Sequence, residues 1–503
     1  MQRGSKHVLS HAAIYLVARG LPGVVAFCAI PLFTRLLDPG AYGWYAQVIA
    51  TVGMLNALLF QWLRLSLSRY LAAYAGNEAK LKSTLITTAL VIIGTLGMLA
   101  AVAALLPWFA EWRGVIAIGW TMLAVQSLFE LANEYSRASL NPWQFMVLQL
   151  TRSGAMVGVG ALLVKSGFSW SGPLIGLASG MSLGIAYAGV RDWRDVRFGI
   201  DRAILVKLCR YGLPLSLTVA LAVVISTSDR FLIAGFLGDD AAGLYSAAFD
   251  FTCQTLTLLM MVINLAVFPM AVRAWESGGP EAAREQMRHN ASLLVAIGLP
   301  CVVGLTVLAP GIAHNFFGES FRAAAIQIIP LIALGAFLEG LKAYHFDSAF
   351  QFVHQTIYQV WIVLVVAIVN IAVNLFAIPR WGIGGAAVVS AGAYVLSIGL
   401  TIAIGRRHFA LPFPMASVLR AALACLAMAA LLWPFRALVS PGALAAQVVG
   451  AAALYGTVLV ATNFLGLRDG LCDLIQRRMA RGDVSDVARA GRDPNPTRLA
   501  ETN

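Results

Sequence analysis

Three arginines, Arg19, Arg152 and Arg420, lie inside apolar runs of this 503-residue chain that are each long enough to cross a bilayer, and the chemistry of the first two is anion recognition. Arg152 sits about ten residues into its run, roughly 15 Å deep at 1.5 Å per residue. Gln149 precedes it by one helical turn on the same face. Arg19 lies in the first run, just ahead of Pro22-Gly23, where proline removes a helix hydrogen bond and can open the helix. A guanidinium offers a planar, permanently charged fork suited to phosphate oxygens. An ionised side chain at mid-bilayer costs at least about 2.5–3.5 kcal/mol, so these residues predict an inward-open cationic cavity. The competing expectation is that Arg19 and Arg152 pair with carboxylates on neighbouring helices for structural reasons. Arg64 and Arg210, nearer the inner ends of their runs, either complete the candidate binding set or anchor the topology.

The acidic residues form a second set. Glu130, Glu134 and Arg137 fall at i, i+4 and i+7 with Asn133, which puts one polar stripe on one helix face. Glu339 and Lys342 make an i, i+3 pair, and Asp250 lies deep in another run. A carboxylate held away from water can exchange protons near neutral pH, as proton-coupled transport requires. Asp250, Glu130, Glu134, Glu339 and Lys342 are therefore coupling candidates, with internal ion pairing as the alternative. Asp229-Arg230 is expected to stabilise an outer turn, or to gate the outer mouth by pairing. The chain shows no phosphate-loop run, no Ser-His-Asp context and no zinc spacing, and its six cysteines are scattered. No enzymatic activity, metal or cofactor is expected; a proton gradient, a sodium gradient and no coupling all stay open.

What must position these groups is a bundle of membrane-spanning helices. Hydrophobic residues make up 59% of the chain and charged residues 12%, about half the usual charged share of a soluble domain. Apolar runs fall at 11–34, 43–63, 84–107, 114–137, 142–164, 170–190, 205–228, 241–268, 287–310, 323–346, 352–378, 381–404, 415–437 and 441–464. The reading is all-α and polytopic, with about 14 transmembrane helices. The net charge of +12 could suggest nucleic acid, but its placement excludes that. With both termini in the cytoplasm, 26 of the 36 Lys and Arg fall on the inner side, as the positive-inside rule requires. The outer loops are assigned Arg35, Arg113, Lys165, Arg230, Arg322, Arg380 and Arg436. The first run is expected to be an uncleaved helix, and the segment after Arg468 a basic tail that begins as an amphipathic helix on the inner leaflet.

The chain also repeats itself. Leu37-Asp38-Pro39-Gly40-Ala41-Tyr42-Gly43-Trp44-Tyr45 joins runs one and two, and Leu237-Gly238-Asp239-Asp240-Ala241-Ala242-Gly243-Leu244-Tyr245 joins runs seven and eight. Glu130 with Tyr135 echoes Glu339 with Tyr344, and Trp170-Ser171-Gly172 echoes Trp381-Gly382. The expected layout is six plus six plus two helices in two pseudo-symmetric lobes: 1–204, 205–410, an extra pair at 411–464, and a tail at 465–503. Repeats of equal orientation place a substrate site at their interface, near the midplane. Gly172, Gly176, Gly180 and Gly184, and likewise Gly154 with Gly158, are expected to be close-packing ladders.

Pro31-Leu32-Phe33-Thr34-Arg35-Leu36-Leu37-Asp38-Pro39-Gly40-Ala41-Tyr42-Gly43 resembles the first outer loop of the polysaccharide-exporting, Wzx-type flippases. Ser228-Asp229-Arg230 followed by Leu237-Gly238 and Gly243-Leu244-Tyr245 is similar to their second-half motif. The resemblance implies an inner-membrane transporter that moves a polyprenyl-diphosphate-linked oligosaccharide to the outer leaflet by alternating access. Its implied partners are that substrate, membrane lipids, and polymerase or other polysaccharide-assembly proteins, with no nucleic acid. The wider superfamily also holds drug and metabolite antiporters, which is the runner-up. Internal arginines argue against a cavity for cationic drugs. A membrane glycosyltransferase or polymerase would need a sizeable catalytic loop, and no break between the runs is long enough to supply one.

Overall fold

The structure is a computed structural model and describes residues 23–469, apart from positions 26, 195 and 354. The expectations for Arg19 and for the tail beyond 469 lie outside the described residues. Every element among the described residues is helical. In order these are α1 (Gly23–Leu36), α2 (Pro39–Leu59), α3 (Gln61–Tyr70), α4 (Glu78–Leu105), α5 (Arg113–Ala138), α6 (Pro142–Lys165) and α7 (Ser171–Asp192). There follow α8 (Arg202–Leu237), α9 (Asp239–Val307), α10 (Ala309–Phe316), α11 (Glu319–Leu341), α12 (Ser348–Phe352), α13 (Ile357–Gly405), α14 (Met415–Leu432) and α15 (Pro441–Ala461).

Local chemistry sets the helix starts. The Asp38 carboxylate accepts the Ala41 N–H at 2.8 Å, and Pro39 opens α2. Asn141 with Pro142 does the same for α6, and Ser440 with Pro441 for α15. Such side chains satisfy first-turn N–H groups that have no helical partner, and proline loses nothing there. Ten described helices are long and apolar enough to cross a membrane, or eleven when α2 and α3, bent by 49°, count as one span. The chain is an all-α, multi-pass membrane protein.

At 69 residues α9 is roughly 100 Å of helix, about three times a bilayer core. It is two arms meeting at Gly279, whose φ of 71° and ψ of −163° only glycine adopts freely. Pro280 then starts the second arm. The 49 residues of α13 break in the same way at Gly382, with φ 60° and ψ −150°. The helices follow the expected runs in order. The fourteen-span count and the six-six-two layout stay expectations, because α1 is described only from Gly23.

The α7 ladder packs as its spacing predicts. A Cβ at Gly180 would lie 2.3 Å from the Thr151 carbonyl oxygen, and one at Gly176 would lie 2.5 Å from the Gly160 nitrogen. The second ladder is corrected: Gly154 and Gly158 face open space, and Gly160 is the α6 glycine at the contact, with Phe33 and Pro173 against it.

Candidate functional site

The predicted charges gather in three places. Near α3, the Glu130 carboxylate lies between two guanidinium groups: Arg64 Nη1 at 3.7 Å from Oε2 and Arg152 Nη1 at 3.4 Å from Oε1. Arg152 also stands 5.8 Å from the Phe129 ring, and Arg64 donates to the Gln61 carboxamide. Gln149 donates to Asn133 Oδ1 at 3.2 Å, while Glu134 binds Arg137 at 2.7 Å. The polar stripe on α5 therefore faces α3 and α6. Three arginines meet two glutamates here, a surplus of positive charge, and Arg64 Nε is buried with no partner among the described residues. Arg210 is exposed on α8 and forms no ion pair among the described residues.

The second place is a cavity of about 340 Å³ where α1, α2 and α6 meet α9. Ile30, Phe33, Tyr42, Tyr45 and Met156 line one side; Asp250, Cys253 and Gln254 line the other. Met156 is one turn beyond Arg152 on α6, so the cavity and the arginine cluster are neighbours on one helix. Asp250 is held by the buried Arg230, which stands 5.4 Å from the Phe249 ring.

The third place departs from the sequence expectation. Asp229 and Arg230 do not pair, and neither lies in a turn, because α8 continues to Leu237 and ends at Gly238. Successive helical residues point about 100° apart, so Arg230 turns to Asp250 while Asp229 turns into the second half. There Asp229 accepts from Asn374 at 2.8 Å, from the Tyr245 hydroxyl at 3.1 Å, and from Ser390. Asp229 and Ser390 border a separate cavity of about 260 Å³ that also holds Glu339, Lys342 and Asp347. Lys342 binds Asp347, at 2.8 Å and 3.0 Å, rather than Glu339. The helix loosens to a π turn over Lys342–Phe346, in which the Asp347 N–H reaches the Lys342 carbonyl at 2.9 Å, and this brings Asp347 into line with Lys342. Glu339 shares the cavity wall with Tyr394 instead.

One end of the bundle is shut by the repeated turns themselves. A Cβ on Gly43 would lie 2.1 Å from the Asp239 carbonyl oxygen, and one on Gly243 would lie 1.9 Å from the Pro39 carbonyl oxygen. The two Gly-x-Tyr motifs thus cross against each other in reciprocal fashion. Beside them Arg35 donates to the Asn315 carbonyl at 2.5 Å, and Gly318 abuts the Thr34 carbonyl. At the other end, Gly212 of α8 abuts Trp62 and Ser66 of α3, and Ser66 donates to the Leu208 carbonyl at 3.0 Å.

Residues 32–326 match the family described as polysaccharide biosynthesis protein. The chain belongs to that family. A Shigella flexneri protein named as an O-antigen transporter is 20% identical over 396 residues, covering 76% of this chain and 93% of that one. The glycan biosynthesis flippase Agl15 of Haloferax volcanii is 23% identical over 334 residues, 65% and 69% of the respective chains. Among solved structures, the lipid II flippase MurJ in an inward closed conformation matches with a TM-score of 0.70 at 12% identity, covering 91% of this chain and 100% of that one. An inward-facing multidrug transporter of the MATE family gives 0.64 at 15% identity, over 78% and 98%. At these identities the structural likeness speaks to the fold.

In this polysaccharide biosynthesis protein, sequence reasoning missed Asp347, Asn374, Ser390 and Tyr394. Asn374, Ser390 and Tyr394 are polar residues within the long apolar α13, and Asp347 lies between the π turn and the short α12. Asn374 and Ser390 reach Asp229 across 145 and 161 residues of chain, so no local spacing signals them.

Proposed function

We propose that this chain is a flippase that moves a polyprenyl-diphosphate-linked oligosaccharide from the cytoplasmic to the outer leaflet of a bacterial inner membrane. The observation that carries this reading is the Arg64–Glu130–Arg152 cluster, two guanidinium groups sharing one carboxylate beside the central cavity. A lone carboxylate leaves part of each fork unused. A diphosphate supplies several anionic oxygens and satisfies both forks at once, displacing Glu130.

With both termini cytoplasmic, the end shut by Gly43 and Gly243 is the outer one. The diphosphate and glycan then enter from inside, where Arg152 and Arg64 receive them, while the lipid tail stays in hydrocarbon. Rocking of the α1–α7 helices against the α8–α13 helices opens the outer crossing and moves the site across. Binding alone gives no net direction, since a ligand shifts only the equilibrium between states it binds differently. A proton or sodium gradient acting at the carboxylates of the second-half cavity, or consumption of the product by a polymerase outside, supplies it.

The test is mass spectrometry of lipid-linked glycans in a strain depleted of this protein with the later assembly enzymes intact. A complete, unpolymerised lipid-linked oligosaccharide should accumulate on the inner leaflet. An unchanged lipid-linked pool, in a strain with no second transporter, would instead indicate a small-molecule antiporter.

A further inference from the structure

A third kind of cavity lies at the junction of α2, α4 and α5 with α8, and its volume is about 510 Å³. Trp44, Val52, Leu96, Trp112 and Leu123 form its walls, and Phe231 of α8 closes it. No charged side chain lines it. Of the few polar groups in the wall, three already donate within the protein. Gln47 donates to Asp239 at 2.8 Å, the Thr51 hydroxyl to the Gln47 carbonyl at 2.8 Å, and the Trp120 indole to the Ile93 carbonyl at 3.2 Å. With no charged group in a wall that is mostly aliphatic and aromatic, the space suits hydrocarbon. Trp112 and Trp120 are 48% and 37% exposed, so the cavity reaches the outside of the bundle, and it shares no lining residue with the central cavity.

We infer that this cavity seats a stretch of the polyprenyl tail of the transported lipid, an inference that rests on the proposed substrate. Its place in the fold gives the reason. One face of α2 turns Tyr42 and Tyr45 to the central cavity, and another turns Trp44, Gln47 and Thr51 to this one. A molecule whose diphosphate occupies the central cavity has its tail in the hydrocarbon around the same helix. The wall is also stiff: tryptophans and β-branched residues have few rotamers, and Trp44 packs edge-to-face on Trp112 at 5.3 Å. A fixed wall of that kind favours a stiff, methyl-branched isoprenoid over a flexible straight acyl chain. Because Phe231 comes from α8 and every other wall from α2, α4 and α5, the cavity changes shape whenever α8 moves against them. Tail binding is thereby tied to one arrangement of the halves.

The experiment measures binding of a long polyprenol, which has the tail and no phosphate, to the purified full-length chain by native mass spectrometry. The probe variant is Gly119→Leu on α5, a position that lines the cavity and where a Cβ meets no atom within 4 Å. Ala100→Leu on α4 is a second probe of the same wall. Both should weaken polyprenol binding at least about tenfold with an unchanged melting temperature, and phosphatidylglycerol should not displace the polyprenol. Unchanged binding in both folded variants overturns the inference, and so does equal displacement by phosphatidylglycerol, which would mark an ordinary bilayer-lipid slot. Arg152→Ala separates this inference from the proposed function. It should leave polyprenol binding intact while polyprenyl diphosphate binding falls; if diphosphate binding holds and polyprenol binding still depends on position 119, the tail site stands and the phosphate clamp does not.

Discussion

Arg152 has two neighbours that pull its interpretation in different directions: Glu130, which it neutralises, and the cavity one turn along α6. A two-residue cycle separates them. If Arg152 serves only to balance Glu130, replacing both with neutral residues restores what Arg152→Ala loses. If it holds phosphate, the double variant stays defective. The cluster's surplus of positive charge favours the second outcome. A hydrogen bond to a charged group contributes about 1.5–3 kcal/mol, so Arg152→Ala should weaken polyprenyl diphosphate binding by roughly 10–100-fold. Glu130→Gln should retain binding, and the double variant Glu130→Gln, Arg152→Ala should bind no better than Arg152→Ala alone. Titration of purified variants with the lipid reads all three. Recovery in the double variant would reduce Arg152 to a structural counter-charge.

At the scale of helices, the α6–α7 contact decides where Arg152 stands. Gly180 sits against the Thr151 carbonyl and lies 3.0 Å from the Arg152 Cα by its added Cβ, so any side chain there pushes that turn of α6 away. Gly180→Leu should cut transport and lower thermal stability together. Gly154→Ala, two residues beyond Arg152 on an open face, should leave both near wild type, helped by the higher helix propensity of alanine. Thermal unfolding and glycan export in the two variants check the contrast. The same helices show what the sequence made legible. Apolar runs of bilayer length located the spans, because lipid forces every backbone group into a helix. The Gly-x-Tyr repeat was legible as a duplication, but the crossing of its two copies at Gly43 and Gly243 was not. The partner of each buried charge was not legible. Lys342 turned to Asp347 through a π turn that no residue type announces, and Arg230 found Asp250 because adjacent helical positions diverge. Spacing along one helix fixes a face, but not which neighbour that face meets.

Across the whole molecule, alternating access requires the crossing of the two repeated turns to come apart in every cycle. The geometry offers a way to stop it. A Cβ on Gly40 would lie 3.7 Å from Asp240 Cγ and 2.8 Å from its Oδ1. Replacing Asp240 with cysteine removes the clashing oxygen and puts sulfur near the Cγ position, within the reach a disulfide needs after a small shift. The pair Gly40→Cys, Asp240→Cys should therefore oxidise readily in this arrangement, joining α2 to α9. Export should stop in the oxidised double variant and return when a membrane-impermeant reductant is added outside. Each single variant should remain active under both conditions, which excludes an effect of the substitutions or of the native cysteines. Because the reductant acts only on the outer face, rescue would also place the α1–α2 turn outside, as the charge distribution requires. Full export by the cross-linked chain would mean that the lipid crosses without parting α2 from α9, and the rocking of two halves would have to be replaced by a path along the protein's outer surface.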